Sequence, residues 1–139
     1  MLGKGDFAAA VPFLQRGIFR DSNFAMAYAL LGGLYFQFGE TSLGADNTRR
    51  AYELRERVSE REKLHIESNY YNFVTGDLEK ASESYELWAQ TYQRDWMPRY
   101  ELGNINFELG QYDKSLVELR EALSLQPASG LIYPDVVYA

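Results

Sequence analysis

A glycine followed directly by an acidic or amide residue recurs at Gly5-Asp6, Gly39-Glu40, Gly76-Asp77 and Gly110-Gln111, at spacings of 34, 37 and 34 residues. A period of that length means that one supersecondary unit is built several times and stacked, each copy burying its apolar stripe against the next. The unit is readable in residues 96–129. Asp95 is a candidate N-cap, and Pro98 falls in the first helical turn, where a missing N–H costs little. Leu102, Ile105 and Leu109 recur at helical spacing on one face. Gly110 stops the helix, because glycine enters the left-handed C-terminal conformation without Cβ strain. A second helix follows with Leu116, Leu119, Leu123 and Leu125 expected inward, and Pro127 closes the unit.

The register can be checked at other positions. Five residues after each turn glycine stand Ala10, Gly44, Ala81 and Ser115, small in every copy, which lets the two helices of a hairpin approach closely. Nine after stand Leu14, Thr48, Tyr85 and Leu119, and twelve after stand Gly17, Ala51, Trp88 and Ala122, where Trp88 breaks a run of small residues. The 34-residue unit, with Leu102-Gly103 in its first helix, GQYDKS at the turn and ALSLQP at its end, resembles the tetratricopeptide repeat, TPR. That resemblance implies an all-α, right-handed superhelical solenoid of antiparallel helix hairpins that binds other proteins without catalysis.

On this register the whole chain is one array. Residues 1–24 hold the second helix of a truncated repeat, residues 25–58, 59–95 and 96–129 are full repeats, and residues 130–139 begin a further helix. Both ends then cut through repeats, as expected of a piece of a longer protein. Pro12 is expected to disturb the first helix or delay its start. The three additional residues of the 37-residue spacing are expected in the charged run RERVSEREK at 55–63, which holds a capping box, Ser59-x-x-Glu62. The helix at 60–75 has a poor signature. Ser68, Asn69 and Asn72 stand where core residues are usual, so Leu64, Tyr70, Tyr71, Phe73 and Val74 must supply its packing.

A narrower resemblance covers residues 51–127. The blocks SEREK, YELWAQTY and RDW look like the TPR tails behind the kinase domain of certain bacterial serine/threonine kinases, and similar tails follow winged-helix domains in some bacterial regulators. It implies a sensory or scaffold segment of a cytoplasmic signalling protein and transfers no catalytic residue.

The chemistry of enzymes is missing from the sequence. Gly3-x-Gly5-x-x-Ala8 formally fits a dinucleotide fingerprint but has no room for the strand that must precede it. His65 is the sole histidine and there is no cysteine, which leaves no thiolate site, no histidine cluster and no disulfide. Glu60, Glu62 and Glu67 read as a charged helix face. A net charge of −6 argues against a nucleic-acid partner, and no apolar run reaches bilayer length. No catalytic residue, metal ligand or cofactor is assigned.

The resemblance places a binding groove on the first helices of the hairpins. Three residues before each turn glycine stand Phe36, Phe73 and Phe107; ten before stand Ala29, Ile66 and Tyr100; thirteen before stand Met26, Lys63 and Met97. These spacings share one helix face. With Asn104, they describe an aromatic wall suited to a protein or peptide with apolar side chains, although the phenylalanine row is equally readable as core. A carboxylate clamp of the kind some TPR domains carry is not expected: only Asn104 matches, its paired positions being Gly33 and Tyr70. The alternative functions are a spacer, or a homodimer through the solenoid ends.

Overall fold

The computed structural model describes residues 4–126, with side chains from residue 9 onward. Seven α-helices follow one another without a strand among the described residues: α1 (Lys4–Arg20), α2 (Ala25–Gln37), α3 (Thr41–Glu53), α4 (Glu60–Asn69), α5 (Leu78–Thr91), α6 (Met97–Glu108) and α7 (Tyr112–Leu125). A 3-10 turn (Arg55–Arg57) precedes α4, and a π-helical segment (Tyr70–Thr75) continues it. Helices α2 and α3, α4 and α5, and α6 and α7 pair as hairpins, and α1 packs on α2. The chain is therefore the all-α solenoid its period implies.

Each hairpin turns at the expected glycine. Gly39, Gly76 and Gly110 have φ of 82°, 70° and 77°, the left-handed region that a side chain would strain. Past the turn, Gly44, Ala81 and Ser115 are buried. The helices come closest at a second conserved offset. A Cβ on Gly103 would meet Leu119 Cδ2 at 2.6 Å, and one on Gly32 would strike Thr48. In the middle hairpin the equivalent pair is Asn69 and Tyr85, and here a hydrogen bond replaces close approach: the Tyr85 hydroxyl donates to Asn69 Oδ1 at 2.8 Å. Asn72 donates to the same hydroxyl at 3.3 Å, and Ser68 and Ser84 share a bond of 2.7 Å. Ser68 is fully buried. The three polar residues that disfavoured this helix in sequence are thus partners in a satisfied network, the condition for tolerating them inside.

The three additional residues lie where the charged run enters the helix. From Gly39 to the N-cap Ser59, and from Gly76 to the N-cap Trp96, the chain runs the same length, so the surplus falls between Ser59 and Gly76. Counted back from the turn glycine, α4 begins at Glu60, sixteen residues before it, whereas α6 begins at Met97, thirteen before it, which makes the surplus an additional turn at the start of α4. The charged run also caps that helix: Ser59 and Glu62 form the expected capping box.

The core consists of two clusters, each at a junction between successive hairpins. One joins Ala25, Ala29, Ala51 and Leu54 to Ile66; the other joins Leu64, Ala81, Tyr85 and Trp88 to Leu102 and Ile105. Trp88 is 3% exposed. Its indole Nε1 donates to Asp95 Oδ2 at 2.8 Å, and Arg61 grips the same carboxylate with its Nε at 2.6 Å. That bonding corrects the role expected of Asp95, which does not cap α6. Trp96 holds the N-cap position without a side-chain bond, while Pro98 sits in the first turn as expected.

Other expectations need correcting. Leu109, at the hairpin tip, is 54% exposed, and Leu116 and Leu123 are 47% and 40% exposed. Among the described residues no helix packs against that side of α7. Gly5-Asp6 and Pro12 lie inside α1, so neither a turn nor a delayed start occurs there. Pro127 and residues 130–139 lie outside the described residues.

Two substitutions test the packing. Ala81→Leu, at a fully buried site, should cost about 1–3 kcal/mol by overfilling the contact, read as a lower midpoint in thermal or urea unfolding. Tyr85→Phe, which keeps the ring and strips Asn69 of its donor, should cost about 1–3 kcal/mol, and an unchanged midpoint would mean that the network contributes nothing.

Candidate functional site

A groove of about 810 Å³ opens along the face made by α1, α2, α4 with its π-helical segment, and α6. The local sequence explains why apolar side chains project into it. The positions facing each partner helix are taken by small or hydrogen-bonded residues, so the large rings fall on the opposite side of the same helices. Phe73 is 41% exposed and Phe107 61% exposed, and both border the groove. Phe36 lies against Phe73 with ring centroids 5.2 Å apart, and Phe107 meets Tyr112 edge-on at 5.3 Å.

The three phenylalanines are not equivalent. The Phe36 ring covers Gly44 so closely that a Cβ on that glycine would stand 2.8 Å from it. Phe36 therefore belongs to the α2–α3 contact as much as to the groove. Phe73 and Phe107 face outward.

Of the nine residues expected on the wall, Ala29, Phe36, Phe73, Met97, Tyr100, Asn104 and Phe107 border the groove. Ala29 offers little surface, at 4% exposure. Ile66 is 1% exposed and belongs to the core. Ala29, at the same offset from its turn glycine, lies in the same core cluster, so this position faces inward in both hairpins. His65, Asn69 and Asn72 border the groove in its place. Met26 lies apart, in a second cavity of about 620 Å³ with Arg61, His65, Trp88 and Asp95. Lys63 pairs with Glu56 at 2.7 Å, away from the groove.

The sequence reading missed several contributors. Phe13 of α1 is 69% exposed and borders the groove with Ala10 and Leu14, although a second helix was not expected on this face. Leu30, Leu34 and Trp96 also border it, as does Glu101, one residue from the expected Tyr100. A signal for Glu101 existed: it shares a helix face with Asn104 and Glu108 at spacings of three and four.

The electrostatics of the groove follow from what lines it. Its charged residues are Glu101 and Glu108, with no lysine or arginine among them. Burial pushes the Glu101 carboxyl up to about 7, and the Glu108 charge acts in the same direction. Asn72 Nδ2 donates to Glu101 Oε2 at 3.4 Å. His65 stacks on Trp88 with centroids 5.1 Å apart, and desolvation lowers its pKa to about 4, which leaves it neutral at pH 7. No cluster of metal-ligating side chains forms among the described residues. None of the described helices is long and apolar enough to cross a membrane.

Comparison with known proteins agrees with this architecture. The tetratricopeptide repeat family profile matches residues 99–129. No curated protein matches the chain. Among solved structures, a crystal structure of MamA aligns with a TM-score of 0.53 at 19% identity, covering 89% of this chain and 71% of that one. A second crystal structure of the MamA protein gives 0.52 at 22% identity, covering 94% and 69%. At such identities the likeness is one of fold: the chain is a TPR-type solenoid.

The two kinds of phenylalanine can be told apart. Phe107→Ala should leave stability within about 1 kcal/mol, as for an exposed side chain. Phe36→Ala should cost about 2–4 kcal/mol, towards the core aromatic range. Equal shifts in unfolding midpoint would contradict the distinction.

Proposed function

We propose that this chain is a non-catalytic interaction module whose groove receives a segment of a partner protein. The observation that carries the reading is the row of outward aromatic rings, Phe13, Phe73 and Phe107, on three separate elements of one concavity. A solenoid presents such a surface preformed, since each hairpin is held by its neighbours and the rings need no rearrangement to meet a ligand. The expected wall residues Met97, Tyr100 and Asn104 extend the same surface.

We further propose that the module works in the cytoplasm as part of a bacterial signalling protein, a TPR tail of a serine/threonine kinase. This placement rests on the blocks SEREK, YELWAQTY and RDW alone. Division of the chain into the repeats 25–58, 59–95 and 96–129 is part of the same reading. Exposed Leu116, Val117 and Leu123 on α7 favour a second reading, self-association through that face.

The test is capture from a host lysate by the native chain and by a Phe73→Ala, Phe107→Ala double variant with native circular dichroism. A partner retained by the first and lost by the second is the expected result. Retention by both, or a concentration-dependent dimer in light scattering with no partner, would favour the self-association reading.

A further inference from the structure

The groove is apolar in its rings and acidic in its charge, and the acid has no counter-ion. Glu101, Asn104 and Glu108 lie along one face of α6, so two carboxylates two turns apart look into the same concavity. Cations near α4 and α6 are engaged elsewhere: Arg61 with Asp95, Lys63 with Glu56, and Arg99 with Glu118 at 3.2 Å. The bond that Asn72 gives Glu101 is long, and an amide carries no charge to offset the carboxylate. Beside the acids stand Tyr100 and Trp96, whose rings meet edge-on with centroids 5.9 Å apart and offer faces to a cation.

We infer that the groove selects partner segments in which a lysine or arginine stands between apolar side chains, with the cation received by Glu101 and Glu108 and the apolar groups by Phe73 and Phe107. This rests on the groove reading above and adds to it the chemical class of the partner. The overall charge of −6 favours encounter with the same class.

The ionisation of Glu101 gives the preference a pH dependence. With a carboxyl pKa of about 7 in the empty groove, the site is partly protonated near neutrality, and an arriving cation favours the ionised form. Affinity for a basic segment therefore rises as pH goes from 6 to 8. The other titratable groups near it do not reverse this. His65 from α4 stays neutral throughout, burial holds the Tyr85 phenol from α5 well above its ordinary range, and Glu108 on α6 is acidic too. The α1 and α2 residues that border the groove carry no titratable side chain.

The test is selection of a random twelve-residue peptide library, displayed on phage, at pH 8. It is run against the full chain, Phe107→Ala, and a Glu101→Gln, Glu108→Gln double variant, each with native circular dichroism. Peptides selected by the native chain should need Phe107 and be enriched in lysine or arginine between apolar positions. Replacing that basic residue by glutamine in the best peptide should weaken binding to the native chain by about tenfold or more, the scale of a charge-assisted bond. The same replacement should change little for the double variant, and the affinity of the basic peptide should fall from pH 8 to pH 6. Apolar peptides that need Phe107 but show no basic enrichment, or a pH-independent affinity, would overturn this inference and leave the groove reading standing. Selected peptides that bind Phe107→Ala as well as the native chain would overturn both.

Discussion

Each hairpin is closed by one pair of residues on facing helices, and this contact sets the separation of the two helices. The pairs are Gly32 with Thr48, Asn69 with Tyr85 and Gly103 with Leu119, and in the middle one the partners are 16 residues apart in sequence. The outer pairs solve the contact by volume, with a glycine taking the partner side chain against its backbone. The middle pair solves it with a hydrogen bond, and must also order Ser68, Ser84 and Asn72 to leave no buried polar atom wanting. One position can thus hold a glycine or an asparagine because what the solenoid demands is a fixed separation of helices, and either chemistry supplies it.

The first helix of the middle hairpin starts earlier than its counterparts, counted from the turn glycine, and ends in a π-helical segment. The count back from Gly76 nevertheless places Phe73 on the groove and Asn69 against Tyr85. It places Ile66 in the core, where Ala29 stands at the same offset from Gly39, so the position ten before the glycine faces inward in both hairpins. A wall residue was expected there because spacing gives the helix face and leaves open how far the neighbouring hairpin covers it.

The architecture was legible because its determinants are local and repeated: the left-handed glycines, the small residues five positions on, and the Ser59–Glu62 capping box. Asp95 was not legible, since an aspartate before a helix reads as a cap unless one knows that Trp88 and Arg61 meet it from elsewhere. The wall at Phe73, Met97, Tyr100, Asn104 and Phe107 follows from helix phase alone. Phe13 does not, because its place in the groove depends on how α1 packs over α2, which no local pattern encodes. Nor does the burial that shifts Glu101, a property of the concavity as a whole.

The blocks that carry the narrower family resemblance turn out to be one structural device. Ser59 and Glu62 of SEREK cap α4, and Arg61 of the same block reaches Asp95 of RDW. Trp88 of YELWAQTY donates to that carboxylate, and Tyr92 of the block lies under the Arg61 guanidinium at 5.7 Å. A half-buried aspartate that accepts from an indole and a guanidinium at once ties α4, α5 and the start of α6 together, and losing one partner would leave the others unsatisfied. The cavity beside this aspartate shares His65, Trp96 and Met97 with the groove, while Phe73, Glu101 and Phe107 border the groove alone. The three blocks therefore describe how the hairpins are joined, and apart from Trp96 they leave the rings and acids that a partner would meet to other stretches of the chain.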